Sequence, residues 1–109
     1  KVLDFENESL GRIGLISEIV PRYRSSYFNH IFSGGYEAGY YAYLWAEVMA
    51  ADIFATIKKG GLLNPEMGMR LRKEILAKGG AIDPNTMVQD FLGREVDLNS
   101  FLREKGLVE

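Results

Sequence analysis

The chain contains no cysteine and only one histidine, His30, in 109 residues. The first absence excludes a disulfide framework and every thiolate metal site, and it leaves the redox compartment undetermined. The second makes a self-contained metal centre a poor fit, because zinc sites are ordinarily built from several His, Cys or carboxylate ligands. Net charge is also small. Thirteen basic against fifteen acidic residues give a formal net charge of −2, which argues against a nucleic-acid or membrane-surface role driven by net basicity. No long apolar run is uninterrupted: the stretch from Ala38 to Ile57 carries Glu47 and Asp52, so it reads as a buried or amphipathic soluble helix rather than a membrane span. Lys1 to Leu10 is mixed and acidic, without the basic-then-apolar order of a signal peptide. The chain opens on Lys1 rather than Met, so a processed chain or a fragment of a longer protein is expected.

What is present is an ordinary globular composition, 47% hydrophobic and 26% charged, on one domain's length of chain. Apolar residues at Phe5, Leu10, Ile13 and Leu15 predict a short helix over 5–14, stopped near Gly14. Ile16 to Arg24 contains Pro21 and reads as irregular or extended; Tyr27 to Phe32 fits a strand or a loop. Ser33-Gly34-Gly35 and Gly39 mark a Gly-rich loop over 31–39, with Gly39 expected to supply one more unusual backbone angle. A long helix is predicted from Tyr36 or Ala38 to Lys59, with Lys58 and Lys59 in its last turn and Gly60-Gly61 behind them. Asn64-Pro65 and Asp83-Pro84 are cap-plus-proline starts for helices over about 65–78 and 84–92, and a last helix covers 97–105. The expected fold class is all-α, a single segment over 1–109.

Five of the six tyrosines fall between Tyr27 and Tyr43. On a helix Tyr36, Tyr40, Tyr43 and Glu47 share one narrow stripe, while Tyr41, Leu44, Trp45 and Val48 point elsewhere. A phenol donates to a carbonyl or to a developing oxyanion, so a phenolic stripe after a Gly-rich hinge suits a substrate-contacting surface. Composition alone favours the plainer roles, core packing for aromatics at helical spacing and a structural hydrogen bond for His30. Tyr41 and Trp45 are expected in the core. The sequence has no GxGxxG after a strand, no HExxH and no GxSxG. Nothing else supports an acid/base pair of Glu47 and Asp52.

The stretch YFNHIFSGGYEAGYYAYLWAEVMAADIF, with GGLLNPEMGMRLRKEILAKGG and FLGREVDLNSFLREKGL after it, resembles the C-terminal catalytic region of a zinc metallopeptidase family. That family includes thimet oligopeptidase, oligopeptidase A and peptidyl-dipeptidase Dcp. The resemblance runs from about Phe5 to Leu107, and HIFSGGYEAGYYAYLW is its most specific part. It implies the C-terminal piece of a larger, clam-shaped, mostly helical enzyme that cleaves short peptides in a deep channel. It implies a zinc ion and a glutamate base held by an HExxH helix and a further glutamate upstream, none of them within this chain. The chain itself would then have no cofactor and no activity.

By the same resemblance His30 is the histidine beside the Gly-rich loop that contacts substrate backbone, and Tyr36 is the loop tyrosine. Tyr40 and Tyr43 are the helix tyrosines, with Tyr43 stabilising the transition state. Gly34, Gly35 and Gly39 are the loop's flexible positions. The implied partners are short peptides and the rest of the parent chain, with neither nucleic acid nor membrane. The cytoplasm is the expected compartment and the periplasm the alternative. Surfaces that are interior in a parent would be uncovered on the piece, so self-association is expected. A competing reading, motivated by the missing metal site, is a non-catalytic helical module that binds peptide or protein.

Overall fold

The computed structural model describes the whole chain, Lys1 to Glu109, and every regular element in it is helical. The fold is all-α. It divides into two compact units, Lys1–Tyr41 and Ala42–Glu109.

The first unit opens with helix α1, Val2–Arg12. It begins three residues before the predicted start, because the Phe5 N–H already donates to the Lys1 carbonyl and Asp4 suits the positive end of the helix. It ends where the Gly14 N–H donates to the Gly11 carbonyl and the Leu15 N–H to the Leu10 carbonyl, the paired closure that stops a helix at a left-handed residue. Glu6 is buried on α1. It accepts from Arg24 Nη1 at 2.5 Å and from the Ser25 N–H and hydroxyl at 2.9 and 3.0 Å. The Arg24 hydrogen bond, followed by that of the Ser25 N–H, holds its carboxyl below the usual glutamate range. Glu6 thus ties the irregular Ile16–Arg24 stretch back to the helix. Between Tyr27 and Phe32 there is no strand, only one 3-10 turn, Asn29–Ile31.

The second unit is built around α2, Ala42–Gly60. Behind it come α3, Pro65–Leu71, which widens into a single π turn, Arg72–Leu76, then α4, Pro84–Leu92, and α5, Asn99–Glu104. The cap-plus-proline starts act as their chemistry dictates. The Asn64 side chain accepts from the Glu66 N–H at 2.9 Å, and Asp83 accepts from the Thr86 N–H at 3.0 Å. The unbroken helix expected over 65–78 is corrected by the π turn, in which the Ala77 N–H reaches back five residues to the Arg72 carbonyl. Apolar spacing alone does not separate these two hydrogen-bond registers. The helix expected over 97–105 is shorter at both ends, since the Asp97 carboxylate takes the Asn99 N–H before the first turn.

Val48 and Ala51 on α2 pack against Phe101 of α5, with Val96 and Leu102 at the edge. Met87, Val88 and Phe91 are buried from α4. The Arg70 guanidinium lies 4.7 Å from the Phe91 ring centroid, donates to the Phe91 carbonyl and pairs with Glu74 at 3.1 Å. It therefore joins α3 to the end of α4 by a cation–π contact and a hydrogen bond at once.

The long helix starts later than the sequence suggests. Its first residue is Ala42, not Tyr36 or Ala38. Tyr36 to Gly39 form a turn closed by the Gly39 N–H on the Tyr36 carbonyl at 2.8 Å, and Ala38 sits at φ +53°. That angle is incompatible with a right-handed helix. The unusual backbone angle expected of Gly39 falls on Ala38 instead, because the third residue of such a turn is the one required to have positive φ. No helix is long and apolar enough to cross a membrane.

Candidate functional site

The first unit brings together three of the residues singled out in the sequence. The His30 ring lies 5.3 Å from the Tyr36 ring and 6.3 Å from the Tyr40 ring, centroid to centroid. His30 comes from the 3-10 turn and the two tyrosines from the turn and loop that follow, so sequence distance is closed by backbone turns rather than by helical periodicity. The stripe of Tyr36, Tyr40, Tyr43 and Glu47 on one helix is therefore corrected: only Tyr43 and Glu47 are helical.

Gly34 and Gly35 stand between His30 and Tyr36 with φ of +78° and +82°. Side chains are strained at those angles, so this bend is reserved for glycine, and it turns the chain back toward the histidine. A Cβ at Gly35 would meet open space, which leaves the backbone there free to be approached. Gly39 has an ordinary backbone angle, and a Cβ on it would make only normal contacts, the nearest at 3.7 Å on the Tyr36 carbonyl oxygen.

Phe28 and Tyr23 extend the cluster beyond what sequence reasoning selected. The Phe28 ring meets Tyr40 edge-on at 4.9 Å and stacks on Tyr23 at 5.0 Å. Such pairs add about 0.5–1.5 kcal/mol each beyond buried area and hold the rings in fixed orientations. The sequence signal for them is the aromatic density from Tyr23 to Tyr43, phenylalanines included.

Tyr43 belongs to the second unit, in the first turn of α2, and is half exposed. One turn further on, Glu47 accepts from the Lys105 ammonium, which also lies 5.3 Å from the Phe101 ring. That hydrogen bond raises the Lys105 pKa above its ordinary value. Tyr41 and Trp45 are 73% and 59% exposed, which corrects their expected place in the core. Tyr41 precedes α2, and Trp45 sits in the first turn of α2, where it lines a groove with Val48 but remains largely uncovered. The groove lined by Phe54, Lys58, Arg103 and Glu104 contains none of the site residues.

Asp52 is the most deeply buried charge, at 0% exposure. It accepts from Arg94 Nη1 and Nη2 at 2.6 and 2.7 Å, from the Asp97 N–H at 2.7 Å and from the Ser100 hydroxyl at 3.1 Å. No buried polar side-chain atom is left unpartnered.

Residues 2–107 match the sequence model of Peptidase family M3. Dipeptidyl carboxypeptidase of Salmonella typhimurium is 43% identical over 107 residues, which cover 97% of this chain and 16% of that protein. Oligopeptidase A of Escherichia coli is 40% identical over 105 residues, 92% of this chain and 15% of its own. Saccharolysin of Saccharomyces cerevisiae is 48% identical over 80 residues, 73% of this chain and 11% of its own. The chain belongs to peptidase family M3. It spans about a sixth or less of the length of these relatives.

The zinc implied by that kinship does not fit the residues present. The chain has one imidazole and no thiol, and no three His, Asp or Glu side chains are gathered where an ion could sit.

Proposed function

We propose that this chain is a C-terminal part of a zinc-dependent oligopeptidase or peptidyl-dipeptidase and forms part of the substrate-binding side of its active site. The observation that carries the reading is the convergence of His30, Tyr36 and Tyr40 on a bend that Gly34 and Gly35 alone make accessible. An imidazole and two phenols offer donors and acceptors that suit the N–H and C=O groups of an extended peptide. The glycine backbone lets the loop and its Tyr36 adjust over bound substrate. Tyr43, at the start of a firmly anchored helix, is the donor to the scissile carbonyl oxygen. As negative charge grows on that oxygen, the phenolic hydrogen bond strengthens, so it favours the transition state over bound substrate. The metal and the general base belong to other parts of the full-length protease, and residues 1–109 alone are inactive.

The test is Tyr43→Phe in the full-length protease, assayed on a short peptide. Loss of one oxyanion donor lowers kcat by about 10²–10³ with little change in KM. Unchanged turnover overturns the assignment.

A further inference from the structure

We propose that Asp52 is a positioning residue for the Tyr43 phenol: from the buried face of α2 it fixes the roll of the helix and so the place of the hydroxyl on the opposite face. The inference rests on the role given to Tyr43 above. Nine residues separate the two, which on an α-helix is two and a half turns, opposite faces and about 13.5 Å along the axis.

The packing of Val48 and Ala51 on Phe101 is apolar and carries no direction, so by itself it tolerates small rolls of α2. The bonds to Asp52 are directional. Arg94, Asp97 and Ser100 approach one carboxylate with four donors, two of them the parallel pair of a single guanidinium. A carboxylate so held resists both rotation and sliding of the helix that bears it. A roll of about 10° shifts the tip of a tyrosine by about 1 Å, and a displacement of that size changes a rate by up to about 10². Stability alone does not call for this arrangement, because a well-packed apolar group in place of a buried ion pair is often neutral or stabilising.

The experiment is a double-mutant cycle between Asp52→Asn and Tyr43→Phe in the full-length protease, reading kcat and KM on a short peptide. Asp52→Asn is expected to lower kcat by about tenfold or more with KM within about twofold, and to change kcat by less than about twofold when Tyr43→Phe is already present. An equal loss in both backgrounds overturns the inference and leaves the role of Tyr43 standing, as does no loss in the wild-type background. If Tyr43→Phe alone leaves kcat unchanged, both fall. If Asp52→Asn does not fold, Ser100→Ala takes its place in the cycle, since it removes one donor and keeps the ion pair. It is expected to give a smaller loss that Tyr43→Phe likewise abolishes, and a loss independent of Tyr43, or none, overturns the inference.

Discussion

Asp52 and Arg94 meet in a two-point ion pair, Oδ2 to Nη1 at 2.6 Å and Oδ1 to Nη2 at 2.7 Å, across 42 positions of sequence. The carboxylate is fully buried and the guanidinium half exposed, so the two partners are unequal. Removing the cation strands a charge in the interior. Removing the anion returns a guanidinium to water.

Acid sensitivity follows from this pair. The Arg94 hydrogen bonds hold the Asp52 carboxyl below its ordinary value near 3.8, outweighing the desolvation that pushes it up. A lowered folded pKa means that the stabilisation is complete above the unfolded value and is lost as pH falls through the folded one. Arg94→Ala leaves desolvation without its main counterweight, so the Asp52 pKa rises. The variant should lose about 2–3 kcal/mol at neutral pH, at the low end for a buried pair because the arginine is half exposed. Its deficit should shrink as the pH is lowered toward 4. Urea midpoints of parent and variant at pH 7 and pH 4 check this; a deficit that grows toward acid contradicts it.

Ala38 holds φ +53° in the turn between Tyr36 and Gly39. That conformation costs about 1–2 kcal/mol for a residue with a Cβ, and more for a β-branched one. Ala38→Gly should therefore be neutral or stabilising despite the greater freedom of glycine in the unfolded chain. Ala38→Val should destabilise the loop and, on the function proposed above, weaken peptide binding. Thermal melts and KM for a short peptide, measured on the full-length protease, distinguish the two substitutions; equal behaviour would show that the turn is not strained.

Phe91 is 1% exposed and carries the Arg70 guanidinium against its ring. Phe91→Ala should cost about 3–5 kcal/mol through the cavity and the lost cation–π contact. Phe91→Leu should cost less, since it fills part of the space. Denaturant titration reads both, and a loss under about 1 kcal/mol for alanine would mean that α3 and α4 collapse into the gap.

The sequence announced those parts of the fold that depend on local chemistry. Asn64-Pro65 and Asp83-Pro84 start α3 and α4 because cap and proline act within three residues. The start of α2 was hidden, because Tyr36 to Tyr41 are tolerable helix residues and only the turn at Ala38 removes them from the helix. The candidate site was legible as a resemblance and as aromatic density, whereas the stripe geometry assigned to it does not exist. His30, Tyr36 and Tyr40 meet through turns, which hydrophobic periodicity does not encode. The Asp52–Arg94 pair was out of reach of any local pattern, since each residue alone reads as a solvated charge.

The order in which the chain is made adds a last consequence. Asp52 leaves the ribosome 42 residues ahead of Arg94. During that interval its carboxylate lacks Arg94, its partner in the finished fold, and burying it unpaired is costly. The apolar face of α2 should therefore close fully only once Arg94 has been made, after α3 and α4, whose contacts are nearer in sequence. The same charge that locks the finished helix would disfavour its early closure.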